Sequence, residues 1–189
     1  MANKTRFATL LFSLLATTCL AKDQIMHVTD ATIAGNDYME VINPVWYSVS
    51  IYDGKAQYEK DLSRFSKEQR HVFACAWYLA EVNNGGHDQF YFNSTGIVWK
   101  DAQEGFTAIG LKEFADLVAE SARRLGGAPS FDRQERGTQL EKSKAEFGDL
   151  DDRLYELEDK IDEEKKFMEY IRANRTKFYF SGKIALPGP

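Results

Sequence analysis

The sequence is poor in the residues that staple small exported domains or mark catalytic ones. Of its 189 residues only two are cysteines, Cys19 and Cys75, four are prolines and three are histidines. Two cysteines allow one disulfide at most, and none if Cys19 leaves with a leader, so stability has to come from packing. Four prolines and no low-complexity tract leave no interdomain linker, and no internal repeat is visible. A basic excess is missing too. The formal net charge is −5, which argues against a general nucleic-acid binder. There is no phosphate loop, no zinc-protease motif and no serine nucleophile elbow. What is plentiful is core material. Hydrophobic residues make up 43% and aromatics 13%, enough for one domain with a real core.

The first residues read as an address. "MANKTR" supplies Lys4 and Arg6, and "FATLLFSLLATTCLA" supplies a short apolar run with small residues at its end. This predicts a secretory signal over residues 1–21, cleaved after Ala21, and a periplasmic destination. The run is too short and threonine-rich for a good membrane span, so no transmembrane span is expected in the mature chain. Lipidation at Cys19 is one alternative; a start at Met26, giving a cytoplasmic protein, is the other. Cleavage removes two bases and no acid, taking the charge from −5 to −7.

The rest reads as helices. "DYMEVINPVWYSVSI" opens after a Gly35-Asn36 break, with Pro44 as a kink or restart. "SKEQ", Ser66 to Gln69, has the form of a capping box. Val72, Phe73, Ala76, Trp77 and Ala80 behind it predict a helix over 67–83, stopped by Asn83, Asn84, Gly85 and Gly86. Three more stripes follow: Val98, Ala102, Phe106 and Ile109; then Leu111, Phe114, Leu117, Val118, Ala122 and Leu125; then Leu150, Leu154, Leu157 and Ile161. Only "TKFYFSG" near the end looks like a strand. The expected fold class is all-α, a single compact multi-helix domain.

"EVNNGGHDQFYFNSTG", Glu81 to Gly96, is the densest polar and aromatic stretch. It is expected at a sharp reversal between two helices. As a structural corner, Asn83, Asn84, Gln89 and Asn93 would satisfy backbone groups orphaned at helix ends, and Phe90, Tyr91 and Phe92 would plug the core beside Trp77 and Trp99. The functional alternative is a hydrolase-like pocket around His87, Asp88 and Gln89.

This stretch, with "RHVFACAWYLA" before it and "DAQEGFTAIG" after it, resembles a bacterial family of helical domains whose best-described member is a DNA mimic protein. "IYDG" and "DLDDRLYELED" are also in the family's style. The family pattern falls on Asn84, Gly85, Gly86, Gln89, Phe90, Asn93, Ser94 and Gly96. The resemblance spans residues 42–180, with a lead-in over 22–41 and a tail over 181–189. It implies a helical domain whose surface acids occupy the DNA-binding face of a protein partner. No cofactor and no direct nucleic-acid binding are expected.

The acids for such a role are present. Residues 146–164 hold ten acids and two bases. Asp149, Asp152, Glu156, Asp159 and Glu163 recur at steps of three and four, so they would line one face of one helix. Nineteen helical residues would span about 28 Å, or roughly one net charge per 3.6 Å. Duplex DNA carries one per about 1.7 Å. The expected partner is therefore a basic protein. The plainer alternative is an ordinary amphipathic helix with solvated acids. An immunity-type inhibitor of a toxin would fit the same pattern.

Catalysis has weaker support, and the protein is expected not to be an enzyme. His71 and Cys75 stand four apart and share a helix face, as a thiol–imidazole pair would. They lie among Val72, Phe73, Ala76 and Trp77, which favours burial. His87, Asp88 and Glu81 are the best metal-ligating candidates, but one histidine with scattered carboxylates is a poor set, and no metal is expected.

Overall fold

Ser66 starts the central helix of the protein. In a computed structural model that describes residues 22–186, the Ser66 hydroxyl accepts from the Gln69 backbone N–H at 3.1 Å, and the Gln69 side chain accepts from the Ser66 N–H at 3.0 Å. Two orphaned donors are thereby satisfied and the helix begins there.

Strand β1 (Lys22–Val28) leads into helices α1 (Asp30–Ala34), α2 (Tyr38–Trp46) and α3 (Gly54–Leu62). The central helix is α4 (Lys67–Phe92). A 3-10 turn, Ser94–Val98, connects it to α5 (Trp99–Ile109) and α6 (Lys112–Arg124). Helices α7 (Arg133–Ser143), α8 (Gly148–Glu158) and α9 (Glu163–Ala173) follow, then a 3-10 turn, Arg175–Lys177, and strand β2 (Phe180–Leu186). The fold is all-α, with one small antiparallel ribbon.

Helix α4 packs against α2, α5, α7 and α8. Its flanks are buried on both sides: Val72, Phe73 and Ala76 on one, Cys75, Tyr78 and Val82 on another. Of the expected stripe only Ala80 faces solvent. The stripes of α5 and α6 are buried as their spacing predicts, Ile109 only in part. The Gly127 N–H closes α6 by donating to the Ala122 carbonyl at 2.9 Å.

Helix α4 is two helices joined at a kink: Gly85 and Gly86 have non-helical backbone, so the first helix stops there as expected and a second runs on to Phe92. Two expectations need correction. The acidic helix is not continuous: α8 ends at Glu158 and α9 begins at Glu163. The lead-in is not strandless. β1 pairs antiparallel with β2, from Lys22↔Leu186 to Val28↔Phe180, so lead-in and tail close on each other. "KDQIMHV" lacks clean alternation because the ribbon has only a small buried side. Val28 and Ile184 are buried while Ile25 is 64% exposed.

Candidate functional site

The kink is built from one backbone conformation and one carboxylate. Gly86 has φ 75°, in the left-handed region that a side chain strains. Gly85 is at φ −164°, ordinary extended backbone, so only one of the two glycines is needed for its conformation. A Cβ at Gly86 would also lie 2.5 Å from Asp151 Oδ2. Asp151, on α8, accepts from the His87 backbone N–H at 3.0 Å and from the ring at Nδ1 at 2.5 Å. On its other side, His87 Nε2 meets the Tyr78 hydroxyl at 2.7 Å. Both His87 and Tyr78 are fully buried. Burial alone would raise the Asp151 carboxyl, but the two bonds from His87 outweigh it and hold the group below its ordinary value.

The other polar residues of the stretch secure the end of α4. Gln89 and Asn93 both donate side-chain amides to Glu81 Oε1, at 2.8 and 2.6 Å. The carbonyls of Tyr91 and Asn93 accept from Arg136 of α7, at 2.8 and 2.6 Å, and Ser130 O accepts from it at 2.7 Å. Arg136 is fully buried, and burial lowers its guanidinium to about 10. The negative end of a helix offsets part of that burial cost. Gly96 makes the space: a Cβ there would collide with Arg136 Nε and lie 2.7 Å from Phe90 O.

The aromatic residues divide. Phe90 and Tyr91 are buried, but Phe92 is 59% exposed. Phe90 meets Tyr78 edge-on at 5.2 Å, and Tyr91 meets Phe147 at 5.9 Å; these, not Trp77 and Trp99, are their ring partners. Asn84 is exposed, and Ser94 is half-buried at the start of the 3-10 turn. His87, Asp88 and Gln89 do not converge: His87 points into the core, Asp88 is exposed, and Gln89 goes to Glu81.

The five acids are split between two helices and their junction. Asp149 is bound by Arg124 at 2.6 Å, and Glu156 by Arg153 at 3.1 Å and Lys160 at 3.7 Å. Asp152 and Asp159 are exposed and form no ion pair among the described residues. Glu163 opens α9, half-buried. Burial, and then neighbouring Glu158, Glu164 and Asp162, push its carboxyl up. The acids crowd most at the α8–α9 junction, where Glu158 to Glu164 holds five acids and one lysine.

The family's sequence profile matches residues 63–174, more than half of the chain. The chain belongs to the DMP19-like protein family. The match is narrower than the resemblance read over 42–180, and it leaves out both strands and α1 to α3. No curated protein and no solved structure matches the chain.

Within the DMP19-like region, His71 and Cys75 share a face without pairing. The thiol donates to Ala102 O at 3.6 Å, while His71 Nδ1 meets the Tyr170 hydroxyl at 3.2 Å. Burial drives the Cys75 thiol well up, away from the thiolate that nucleophilic chemistry requires. Among the described residues no group of three or more His, Cys, Asp or Glu side chains is placed to hold a metal ion. No helix among them is long and apolar enough to cross a membrane.

Asp151 and Arg136 hold this DMP19-like corner together, and sequence reasoning passed over both. Asp151 was hidden in a run of ten acids, and Arg136 in a helix with almost no apolar signal. The one available clue was the glycine opposite each, Gly86 and Gly96.

Proposed function

We propose that this DMP19-like protein is a non-enzymatic binding domain whose acidic surface meets a basic protein outside the cytoplasm. The observation that carries the reading is the crowding at the α8–α9 junction. Carboxylates that repel one another destabilise a fold unless something outside it compensates. A basic partner would relieve that repulsion. The surface differs from the continuous row expected from the sequence. Helix α8 spans about 16 Å, and the acids continue around a corner, so they form a patch instead of a DNA-like line.

Asp152, Asp159 and Glu163 supply the charge offered to the partner, while Asp149 and Glu156 are engaged within the fold. Such a patch speeds encounter more than it strengthens the final complex. The export expectation rests on residues 1–21, outside the described residues. The register of the ribbon bears only on the alternative start at Met26, which would remove the first four of seven β1–β2 pairs.

The test is retention from periplasmic and cytoplasmic extracts on the parent chain and on D152N/D159N/E163Q. A basic protein held by the parent should associate with the triple variant about 10-fold more slowly. Its association with the parent should weaken as salt rises. Unchanged association and an unchanged salt slope in the triple variant would remove the acidic patch from the function.

A further inference from the structure

A cleft of about 530 Å³ opens between α3, α4 and α5. None of its lining comes from α8 or α9, so it is separate from the acidic patch. Four cations line it, Lys55, Lys67, Arg70 and Lys100, against three carboxylates, Glu59, Asp101 and Glu104, in a chain whose net charge is −5. Each carboxylate is already engaged. Arg70 binds Glu59 at 2.7 Å and Asp101 at 2.8 Å, and Lys67 stands 3.7 Å from Glu104. Lys55 and Lys100 are exposed and form no ion pair or hydrogen bond among the described residues. Lys55 instead rests its ammonium 4.1 Å from the centre of the Phe131 ring. Lys55, Lys67 and Lys100 also stand in the first turns of their helices, where a cation opposes the macrodipole and an anion beside it would offset the cost.

The helices bring these lysines to one place. Lys100 and Glu104 are one turn apart on α5, with Cβ atoms about 5–6 Å apart, and Glu104 lies beside Lys67 across the cleft. Lys67 and Lys100 therefore flank one carboxylate, which marks where both can meet an external anion. Lys55 enters from α3, and its flexible four-carbon stem lets the ammonium leave Phe131 and swing over the opening. Two ammoniums without carboxylates suit a doubly charged anion. The volume is that of a small-molecule site and exceeds what a bare ion needs. Phe65 and Phe131, both half-buried, supply apolar surface for the remainder. We infer that this cleft binds a small organic phosphate monoester, with its dianionic phosphate on Lys100, Lys55 and Lys67 and its organic part against Phe131 and Phe65.

His71 reports on the site without touching a ligand. It stands one turn after Lys67 on α4, is 5% exposed, and has its pKa lowered by burial first and by Lys67 next. An anion beside Lys67 cancels that repulsion and raises the pH at which His71 titrates, while the other charges that act on it, Glu104, Asp101 and Glu68, stay as they are. The test is NMR titration of the full chain with phenyl phosphate, inorganic phosphate and benzoate at constant ionic strength. The readout is the His71 ring signals, assigned by their loss in His71→Gln, with His87 as internal reference. Phenyl phosphate should move the His71 signals saturably and raise their pH midpoint while His87 stays in place. Lys100→Gln and Lys55→Gln should each weaken that binding about fivefold or more. Neither should melt below the parent, because neither lysine has a carboxylate partner to lose. Inorganic phosphate has the charge without the ring, and benzoate the ring with half the charge; each should bind about fivefold more weakly than phenyl phosphate. No response to phenyl phosphate up to about 10 mM would overturn the assignment, as would unweakened binding in the Lys55→Gln/Lys100→Gln double variant. Equal binding by inorganic phosphate would overturn the organic part of the ligand, and equal binding by benzoate the phosphate.

Discussion

His87 and Asp151 stand 64 residues apart and share two hydrogen bonds, one from the imidazole and one from the backbone N–H. Through them α8 satisfies the donor that the kink in α4 leaves without a helical acceptor. The same carboxylate packs against the position where a side chain on Gly86 would stand.

Asp151→Ala should destabilise the protein by about 1–3 kcal/mol, since it leaves a buried N–H and a buried ring nitrogen unpaired. The effect should depend on pH in a fixed direction. The folded carboxyl titrates below its ordinary value, so its contribution is present above the unfolded pKa and disappears as pH falls through the folded one. Urea denaturation should separate parent and variant clearly at pH 7 and less below pH 3.8.

Gly86→Ala should cost more than Gly85→Ala. The first adds left-handed strain of about 1–2 kcal/mol and a collision with Asp151. The second meets only the Gln89 side chain, which can swing away at the loss of its bond to Glu81. Melting temperatures of the two variants decide the order, and equal losses would contradict this account.

Arg136→Met should be among the most damaging changes, at about 3 kcal/mol or more. It strands the Tyr91, Asn93 and Ser130 carbonyls together. Gly96→Ala should damage the same contacts by displacing the guanidinium. If the two act through one site, their combined loss in chemical denaturation will be smaller than the sum of the single losses.

Glu163→Gln should stabilise the fold at pH 7 by less than about 1 kcal/mol while slowing association with a basic partner. Its carboxyl is pushed up in the folded state, so ionisation is penalised there and removing the charge relieves the penalty at neutral pH. The gain should shrink at low pH, where the carboxyl is already neutral, and in high salt, where its neighbours are screened. A lower melting temperature at pH 7 would oppose this reading.

Local physics was legible in the sequence. The hydroxyl and amide of Ser66 and Gln69 start α4, and the period of the stripes on α5 and α6 sets which faces are buried. These follow from contacts within a few residues, so the all-α class could be read directly. Helices α3 and α7 escaped because their apolar patterns are weak; α7 buries Arg136 in place of an apolar stripe.

Tertiary structure decided the rest because the deciding partners are distant in the chain. A run of acids looks the same whether it is one helix or two. The chain turns at Asp159 to Asp162, where Leu157 and Ile161 both reach the core from a broken helix. The Gly-Gly sequence marks where the first half of α4 ends, but only the distant Asp151 shows how the second half begins, by accepting the His87 N–H. Nothing local to Trp77 or Thr95 shows that each buries a polar atom without a partner, because an unmet hydrogen bond is a property of everything packed around the atom.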